Sequence, residues 1–495
     1  MTVEAIDAAS SPAAVDEAAT TISPKNLSVI YLLIVSAFVV ILNETIMAVA
    51  LPHLMADLNA TATAAQWLTT AFLLTMAVVI PVTGFLIQRI NTRPIFILAM
   101  SLFSIGTLIA AIAPGLPVLI FGRVVQASGT AIMMPLLMTT VMTLVPPAAR
   151  GKMMGNISIV ISVAPALGPT LSGLILNYLS WRWMFILVLP IALAALALGT
   201  TLLRNVTTTR YAPLDILSVI LSALAFGGLV YGLSSFGEPA GSEGGIVPAW
   251  IPLAIGIVAM VIFVARQIQL QAHDRALLDL RTFASRDFTI SVTMFVIMMM
   301  AMFGTIILLP IYMQNVRGLT TLQTGLLLMP GSLLMGLLGP YVGRLFDRIG
   351  PRPLVVPGAI AVSAVLWAMT QLGSTTPVPF ILAGHVIFSL GLAFLFTPLF
   401  TTSLGSIKPQ LYSHGSAILG STQQLAGAAG VALFVAVMSL QTASRAAAGA
   451  SPVEALAGGI RVAFTIGAVI SLFAILTAFF VRKPAVQMAE MGAGH

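Results

Sequence analysis

The chain has 495 residues, of which 59% are hydrophobic and only 7% are charged, and its mean hydropathy is +1.06. A soluble protein carries about 25% charged residues, so this chain has too little charge to cover a water-facing surface, and lipid must be its main solvent. The absence of cysteine excludes disulfides and cysteine-ligated metals, and the basic residues behind the net charge of +7 are scattered between apolar segments, which argues against nucleic-acid binding.

The chain reads as a series of membrane-spanning helices between two short tails. Residues 1–27 are rich in Ala, Ser and Thr and lack the basic start and apolar core of a cleaved signal, so we predict a disordered cytoplasmic tail, with a second tail at 482–495. A spanning helix needs about 20 mostly apolar residues. Fourteen segments meet this requirement: 28–51, 64–87, 94–113, 116–144, 153–178, 183–203, 212–235, 248–267, 288–313, 322–343, 353–372, 378–401, 413–439 and 457–481.

The Lys and Arg residues between these segments predict the orientation. With the N-terminus inside, the inner segments hold 17 of them, the outer loops hold 4, and one more, Arg123, lies within a helix. Cytoplasmic loops are the ones enriched in Lys and Arg. The pattern therefore predicts that both termini are cytoplasmic and that the number of spans is even.

An internal repeat divides the chain. One pattern occurs between the second and third helices and again between the tenth and eleventh, which predicts two duplicated halves separated by two inserted helices. The predicted domains are six-helix bundles at 28–204 and 288–481, with the inserted helices and a linker at 205–287. The two copies, which we interpret as short cytoplasmic gating loops, comprise Gly84, Gln88, Arg89, Asn91 and Arg93, and Gly343, Asp347, Arg348, Gly350 and Arg352.

Ionisable residues inside apolar helices are the first candidates for function, because a charge in hydrocarbon is costly unless it is paired or hydrated. Glu44 could take up and release a proton, since burial favours its neutral form. Arg123 stays charged and could hold a carboxylate, and His385 titrates near neutrality. Asp215 lies at a helix start, where a carboxylate favours the helix N-terminus. Each also fits a structural role: an ion pair for Glu44, a permanent clamp for Arg123 and a packing contact for His385.

Other patterns indicate a kinked helix and a binding surface. The fifth helix carries Pro165, Gly168, Pro169 and Gly173, which predict a bendable helix packed closely against another. No P-loop and no HExxH pattern is present, so no ATP site and no metal site are predicted, and we expect no cofactor. Polar, aromatic and Met side chains at helical spacing suit apolar or cationic ligands, although each alone also fits ordinary packing: Asn43, Met47, Gln66, Trp67, Gln126, Tyr312, Gln314 and Gln424.

These motifs together resemble the major facilitator superfamily. The repeated pattern resembles its signature loop, and Arg123 to Gly129 is similar to its helix 4 motif, whose Arg is implicated in proton coupling. The run from Ala164 to Gly173 resembles the antiporter motif of exporters. Leu42 to Pro52 resembles the first helix of the fourteen-helix drug:proton antiporters. The resemblance implies an all-α membrane protein of 14 transmembrane helices, built as two six-helix bundles plus two inserted central helices.

The chain departs from the family pattern at several positions. Gln88 and Asn91 replace the usual acid and glycine of the first signature loop, so the latch formed by that acid is in doubt in the first half. Asn43 stands where Asp is usual, with the acid one residue later at Glu44. A branch resembling lincomycin-resistance exporters carries this Asn-Glu pair. One residue turns a helix by about 100°, so Glu44 is expected to face a different partner.

The resemblance implies a proton-coupled antiporter, not an enzyme, that exports small lipophilic or cationic molecules such as antibiotics. Glu44, Arg123 and His385 are the proposed coupling residues. We expect a monomer in the inner membrane of a bacterium, driven by protons. Two alternatives remain open: an importer or facilitator of a metabolite, and a non-transporting membrane receptor.

Overall fold

The computed structural model describes residues 22–206, 214–236, 248 and 250–483, and within these ranges it is all-helical, as predicted. Fourteen of its helices are long and apolar enough to cross a membrane. They are α1 (Pro24–Asp57), α2 (Ala62–Arg89), α3 (Thr92–Ala111), α4 (Leu116–Leu144), α5 (Arg150–Tyr178), α6 (Trp183–Leu202), α7 (Ile216–Phe236), α8 (Trp250–Gln271), α9 (Arg286–Ile311), α10 (Thr321–Ile349), α11 (Arg352–Met369), α12 (Val378–Gly405), α13 (Tyr412–Ala447) and α14 (Pro452–Ala478).

Local capping explains where several helices begin. The Ser23 side chain accepts a hydrogen bond from the Asn26 amide, so α1 begins at Pro24 rather than at the predicted residue 28. Most of the predicted tail 1–27 lies outside the described residues, as does most of the tail 482–495. Capping boxes begin α10 and α14, the latter formed by Ser451 and Glu454.

The two signature segments are mostly helical, which corrects their interpretation as loops. Helix α2 continues through Arg89 and α10 through Ile349, so Gly84 and Gly343 lie inside helices. Only the two residues at 90–91 and the two at 350–351 separate these helices from the next. The reason is that apolar residues follow each glycine and continue the helix until an N-cap or a proline interrupts it.

Two bundles meet along a seam formed by two helix pairs. Within the first bundle α3 packs on α4, α2 on α4 and α1 on α5, and within the second α13 packs on α14, α9 on α13 and α11 on α12. Across the seam, α5 packs on α10, the most extensive helix contact in the described chain, and α2 packs on α13. We call the end where α2 joins α3 and α10 joins α11 the basic end, because it carries the predicted inner loops.

The inserted helices form a hairpin that covers one side of the seam. Glycines let them approach closely: a Cβ on Gly228 would lie 2.9 Å from the Cα of Gly256. Helix α7 packs against both α2 and α13, and Tyr231 stacks on Trp67 of α2 with ring centroids 5.9 Å apart. The insertion therefore contacts both halves and lies beside the boundary between them.

Candidate functional site

Arg123 of α4 is the centre of a buried polar network in the first bundle. It is 1% exposed, and its Nη1 donates to Asn43 Oδ1 at 3.2 Å and to Gln126 Oε1 at 2.6 Å. Its guanidinium carbon lies 4.0 Å from the centre of the Phe72 ring, a distance that permits cation–π attraction. Gln126 in turn donates to Thr107 Oγ1 at 2.7 Å. The network thus links α1, α3 and α4 around one permanent charge.

Asn43, not Glu44, is the α1 residue that bonds to Arg123. Among the described residues no ion pair within 4 Å joins Arg123 to a carboxylate. Thr45, the next residue along, faces α5, because a Cβ on Gly168 would lie 2.3 Å from its Oγ1. Glu44 lies between these two directions, is half-buried, and remains within the electrostatic field of Arg123. Its carboxylate is therefore near the buried cation without being held by it.

The fifth helix is closely packed at Gly168 and open at Gly173. Gly168 contacts Thr45, whereas a Cβ on Gly173 would meet nothing within 4 Å. Pro165 lines a cavity described below. Pro169 belongs to the same helix, which continues without interruption from Arg150 to Tyr178. The predicted close packing thus occurs at Gly168 but not at Gly173.

The second signature segment closes the basic end of the seam. Asp347 of α10 accepts hydrogen bonds from the amides of Gly151 and Lys152, at 2.8 and 2.9 Å, in the first turn of α5. A carboxylate at a helix N-terminus satisfies amides that have no partner within the helix. Gly343 makes the approach possible, since a Cβ there would lie 2.0 Å from the carbonyl oxygen of Gly151.

The first signature segment closes the other helix pair through an amide. Gln88 Nε2 donates to the carbonyl of Gln410 at 2.9 Å, just before α13 begins. Gly84 packs against the same helix, where a Cβ would lie 3.2 Å from the carbonyl oxygen of Ser413. The glutamine therefore makes a neutral contact across the seam at the position where the family carries an acid.

Three of the four arginines of the two signature segments contact their own bundles. Arg93 donates to the carbonyl of Thr200, at the end of α6. Arg89 lies 5.9 Å from the centre of the Phe85 ring and Arg352 lies 5.8 Å from that of Phe479. Arg348 is exposed, and Gly350 ends α10 with a φ of 78°, a conformation that favours glycine.

A cavity of about 340 Å³ opens in the half of the seam away from the basic end. Four helices line it: α5 from the first bundle, and α9, α10 and α12 from the second. His385 belongs to this wall and its Nε2 lies 3.0 Å from the carbonyl oxygen of Leu328. The lining comprises Ile161, Ser162, Pro165, Ala166, Thr170, Met302, Thr305, Ile306, Leu309, Pro310, Gly325, Leu328, Met329, Ser332, Met335, His385, Phe388, Ser389 and Leu392.

The structure places the eight predicted cavity residues elsewhere than in this lining. Tyr312 is fully buried and its hydroxyl donates to the carbonyl of Gly373 at 2.6 Å, while Trp67 stacks on the inserted hairpin. Gln424 lies 3.9 Å from the sulfur of Met76. Asn43, Met47 and Gln126 are buried like Tyr312, whereas Gln66 is exposed and Gln314 is half-buried.

Sequence reasoning missed Ser162 and Thr305, which do line the cavity. Both lie among apolar residues of their helices, and no local sequence pattern distinguishes them from other helical Ser and Thr residues. The one available signal was the Pro330-Gly-Ser332 run in α10, a kink-forming pattern of the kind that marks irregular helices around cavities.

Asp215 belongs to a clamp at the basic end of the inserted hairpin. Arg266 donates to both of its carboxylate oxygens at 2.7 Å, and this hydrogen bonding holds the pKa of Asp215 well below its usual value. Gln267 accepts the amide of Leu277 at 2.7 Å and donates to Ser218 at 2.8 Å. The clamp therefore attaches the linker after α8 to the hairpin. No group of three or more potential metal-ligating side chains occurs within the described ranges.

Comparison with known proteins identifies the family. Residues 33–431 match the profile described as Major Facilitator Superfamily. The chain is 37% identical over 466 residues to the lincomycin resistance protein LmrB of Bacillus subtilis (strain 168), covering 93% of this chain and 96% of that protein. It is 41% identical over 463 residues to the MFS-type transporter YcnB of the same bacterium, again covering 93% and 96%.

Solved structures share the fold. The human organic anion transporter MFSD10 superposes with a TM-score of 0.66 at 15% identity, covering 92% of this chain and 100% of that one. The proton:xylose symporter XylE superposes with a TM-score of 0.65 at 15% identity, covering 95% and 99%. The family match and the two bacterial relatives confirm the family resemblance seen in the sequence, and the chain is a transporter rather than an enzyme. It belongs to the major facilitator superfamily, as a multi-pass membrane protein with fourteen candidate spans.

Proposed function

We propose that this protein is a proton-driven antiporter that exports small lipophilic molecules by alternating access. The observation that carries the proposal is the asymmetry of the seam. At the basic end the two halves are joined by hydrogen bonds from α5 to Asp347, by a hydrogen bond from Gln88 to the segment before α13, and by glycine contacts. The cavity lies in the opposite half of the seam. Such an arrangement corresponds to one state of a cycle in which two bundles rock about a site near the midplane.

The proposed direction of transport rests on the relatives and on the antiporter-like motif of the fifth helix. A relative at 37% identity carries the name of a lincomycin resistance protein, which favours export of a drug-like molecule. The fold is compatible with either direction, because XylE is named a symporter. The basic end then faces the cytoplasm of a bacterium, with both termini there, and the cavity opens outward. We propose a monomer that needs no cofactor beyond the proton gradient.

Glu44 is the proposed proton carrier. It lies in a spanning helix, next to the Arg123 network but outside its hydrogen bonds, so it can gain a proton without breaking an ion pair. Arg123 sets the local field, and His385 is a second candidate for coupling at the cavity wall. Each proton that enters with the membrane potential contributes about 2.3 kcal/mol per 100 mV. One or two protons therefore support export of the substrate against a substantial concentration gradient.

The test compares the wild type, Glu44→Gln and Glu454→Gln in proteoliposomes with an internal pH indicator. Glu454 is a suitable control because it caps α14, and Gln also serves at that position of a capping box. A panel of lipophilic antibiotics is added while proton and solute movements are followed. We expect opposite movements of solute and proton, lost in Glu44→Gln and retained in Glu454→Gln.

Other outcomes identify the rivals. Proton and solute movement in the same direction indicates an importer, and transport that persists after collapse of the gradient and the potential indicates a facilitator. If the pure protein moves none of the solutes, a receptor role gains support. If Glu44→Gln remains fully coupled, the carrier assignment is wrong and His385 becomes the next residue to substitute.

A further inference from the structure

Two buried hydroxyls in the cavity wall have no hydrogen-bond partner. Ser162 is 6% exposed and Thr305 is 5% exposed, and no described residue accepts from or donates to either hydroxyl oxygen. Ser and Thr in helices usually bond to a carbonyl three or four residues earlier, as Thr401 does in α12. An unsatisfied buried hydroxyl costs about 1–3 kcal/mol, so such groups in a native wall call for a partner.

His385 presents a third unpartnered polar atom in the same wall. Its Nε2 carries the hydrogen, because the Leu328 carbonyl opposite can only accept. In the neutral ring Nδ1 is then an acceptor, and it is buried without a donor. The ring packs on Gly331, where a Cβ would lie 2.7 Å from Cδ2, so the orientation of the ring is constrained.

The lack of charged side chains in the wall limits which ligands could donate a hydrogen bond to Nδ1. Among its 19 residues there is no Asp, Glu, Lys or Arg, and most are apolar, with Met302, Met329 and Met335 among them. Methionine side chains adapt to ligands of irregular shape. Moving a permanent cation from water into this cavity costs free energy because no counter-charge is present, whereas burying a neutral apolar molecule has no such cost.

We propose that this cavity binds neutral lipophilic molecules that carry at least one hydrogen-bond donor, which they give to Nδ1 of His385, while the Ser162 and Thr305 hydroxyls bond to further polar groups. A volume of about 340 Å³ lies within the range of pockets for small molecules. The inference rests on the proposed export function and narrows its substrate class to neutral donors rather than cations. Because α5 comes from one bundle and α9, α10 and α12 from the other, such a ligand contacts both halves.

The test measures equilibrium binding by calorimetry, with the full chain in lipid nanodiscs and empty nanodiscs as the blank for lipid partitioning. Three probes are compared: N-phenyl-1-naphthylamine, which is neutral and has one N–H, its N-methyl derivative, which has none, and tetraphenylphosphonium, a permanent cation. We expect the amine to bind about 3- to 10-fold more tightly than the N-methyl derivative, as one hydrogen bond implies. Tetraphenylphosphonium should bind more weakly than either.

Variants connect the preference to the residues. His385→Phe should bring the ratio of amine affinity to N-methyl derivative affinity to about one, whatever it does to both affinities. Thr305→Val, which keeps the shape of the side chain, should retain the wild-type ratio, because neither probe carries a further polar group for that hydroxyl. The control His273→Phe replaces an exposed histidine at the basic end and should change nothing.

Clear results would overturn the inference. Equal affinity of the amine and its derivative for the wild type, or an unchanged ratio in His385→Phe, would show that Nδ1 receives no hydrogen bond from the ligand. Tight binding of tetraphenylphosphonium would refute the neutral class. Binding is measured without a proton gradient and should persist in Glu44→Gln, so a failure of the antiport proposal leaves these results intact, and the reverse also holds.

Discussion

A single methyl group at Gly343 should open the basic end of the seam. A Cβ on this glycine would lie 2.0 Å from the carbonyl oxygen of Gly151 and 2.7 Å from its carbonyl carbon. Both are backbone atoms of α5, so neither can rotate away as a flexible side chain would. Gly343→Ala therefore requires α5 and α10 to separate by roughly 1 Å at this crossing, which also strains the hydrogen bonds from α5 to Asp347.

The magnitude follows from the cost of overpacking. Inserting a methyl group into a close contact costs about 1–3 kcal/mol. The better helix propensity of Ala, about 0.5–1 kcal/mol, benefits the closed and open states alike and does not change their ratio. The equilibrium between the two states should thus shift by about 5- to 150-fold toward the open basic end.

The absence of cysteine makes the measurement direct. Cysteines introduced at Arg204 and Lys408, both exposed at the basic end of opposite bundles, would be the only sites for spin labels. Double electron–electron resonance then gives the distribution of distances between the two labels. We expect Gly343→Ala to transfer population to longer distances.

Gly325→Ala is the matched control, because it lies in the same helix and its Cβ would meet nothing within 4 Å. It should retain the wild-type distribution of distances. If Gly343→Ala and Gly325→Ala give the same distribution, the contact at Gly343 does not hold the two halves together, and the reasoning from close helix approach is refuted.

Three other substitutions test separate contacts. Asp347→Asn keeps one acceptor oxygen, in a weaker neutral hydrogen bond, and turns the other into an NH2 group that cannot accept, so the population of the label pair at longer distances should rise by at least about fivefold. Gln126→Leu leaves a buried guanidinium without one acceptor and should lower stability by about 2–3 kcal/mol in thermal unfolding, whereas Gln424→Leu loses only a weak sulfur contact and should not. Asp215 has a depressed pKa, so its ion pair is present at neutral pH and is lost only as the pH falls through that folded-state pKa. The protection of the Leu277 amide, which is its exchange rate relative to that of an unprotected amide at the same pH, should therefore stay high from pH 8 to 5 in the wild type. It should be lower throughout in Asp215→Asn, and equal protection would contradict the clamp.

The fourteen helices and the repeat were predictable from the sequence because their signals are local. A spanning helix requires a run of apolar residues whatever surrounds it. Helix ends were less predictable: α13 extends to Ala447, beyond the predicted end at 439, because its last turns are small residues compatible with helix but not strongly apolar. The signature segments were predicted as loops for a related reason, since the boundary depends on capping at 90–91 and 350–351.

The candidate site divides in the same way. Arg123, Glu44 and His385 stand out in the sequence because ionisable residues are rare in apolar helices. That Asn43 rather than Glu44 bonds to Arg123 depends on how α1 is rotated against α4, which no local pattern encodes. The wall of the cavity is similar: Ser162 and Thr305 line it because of how α5 and α9 pack against α10 and α12, which no local pattern encodes.

The sequence by itself therefore determined the class of protein, the count of helices, the duplication and the residues whose burial needs a reason. Composition and periodicity act residue by residue along the chain, so they survive without knowledge of neighbours. Only the tertiary structure decided that the inserted hairpin lies against α2 and α13, and that Gln88 and Asp347 close the two helix pairs of the seam. It also decided which four helices enclose the cavity. These contacts join residues far apart in the chain, and their geometry follows from how whole helices rotate and pack against one another.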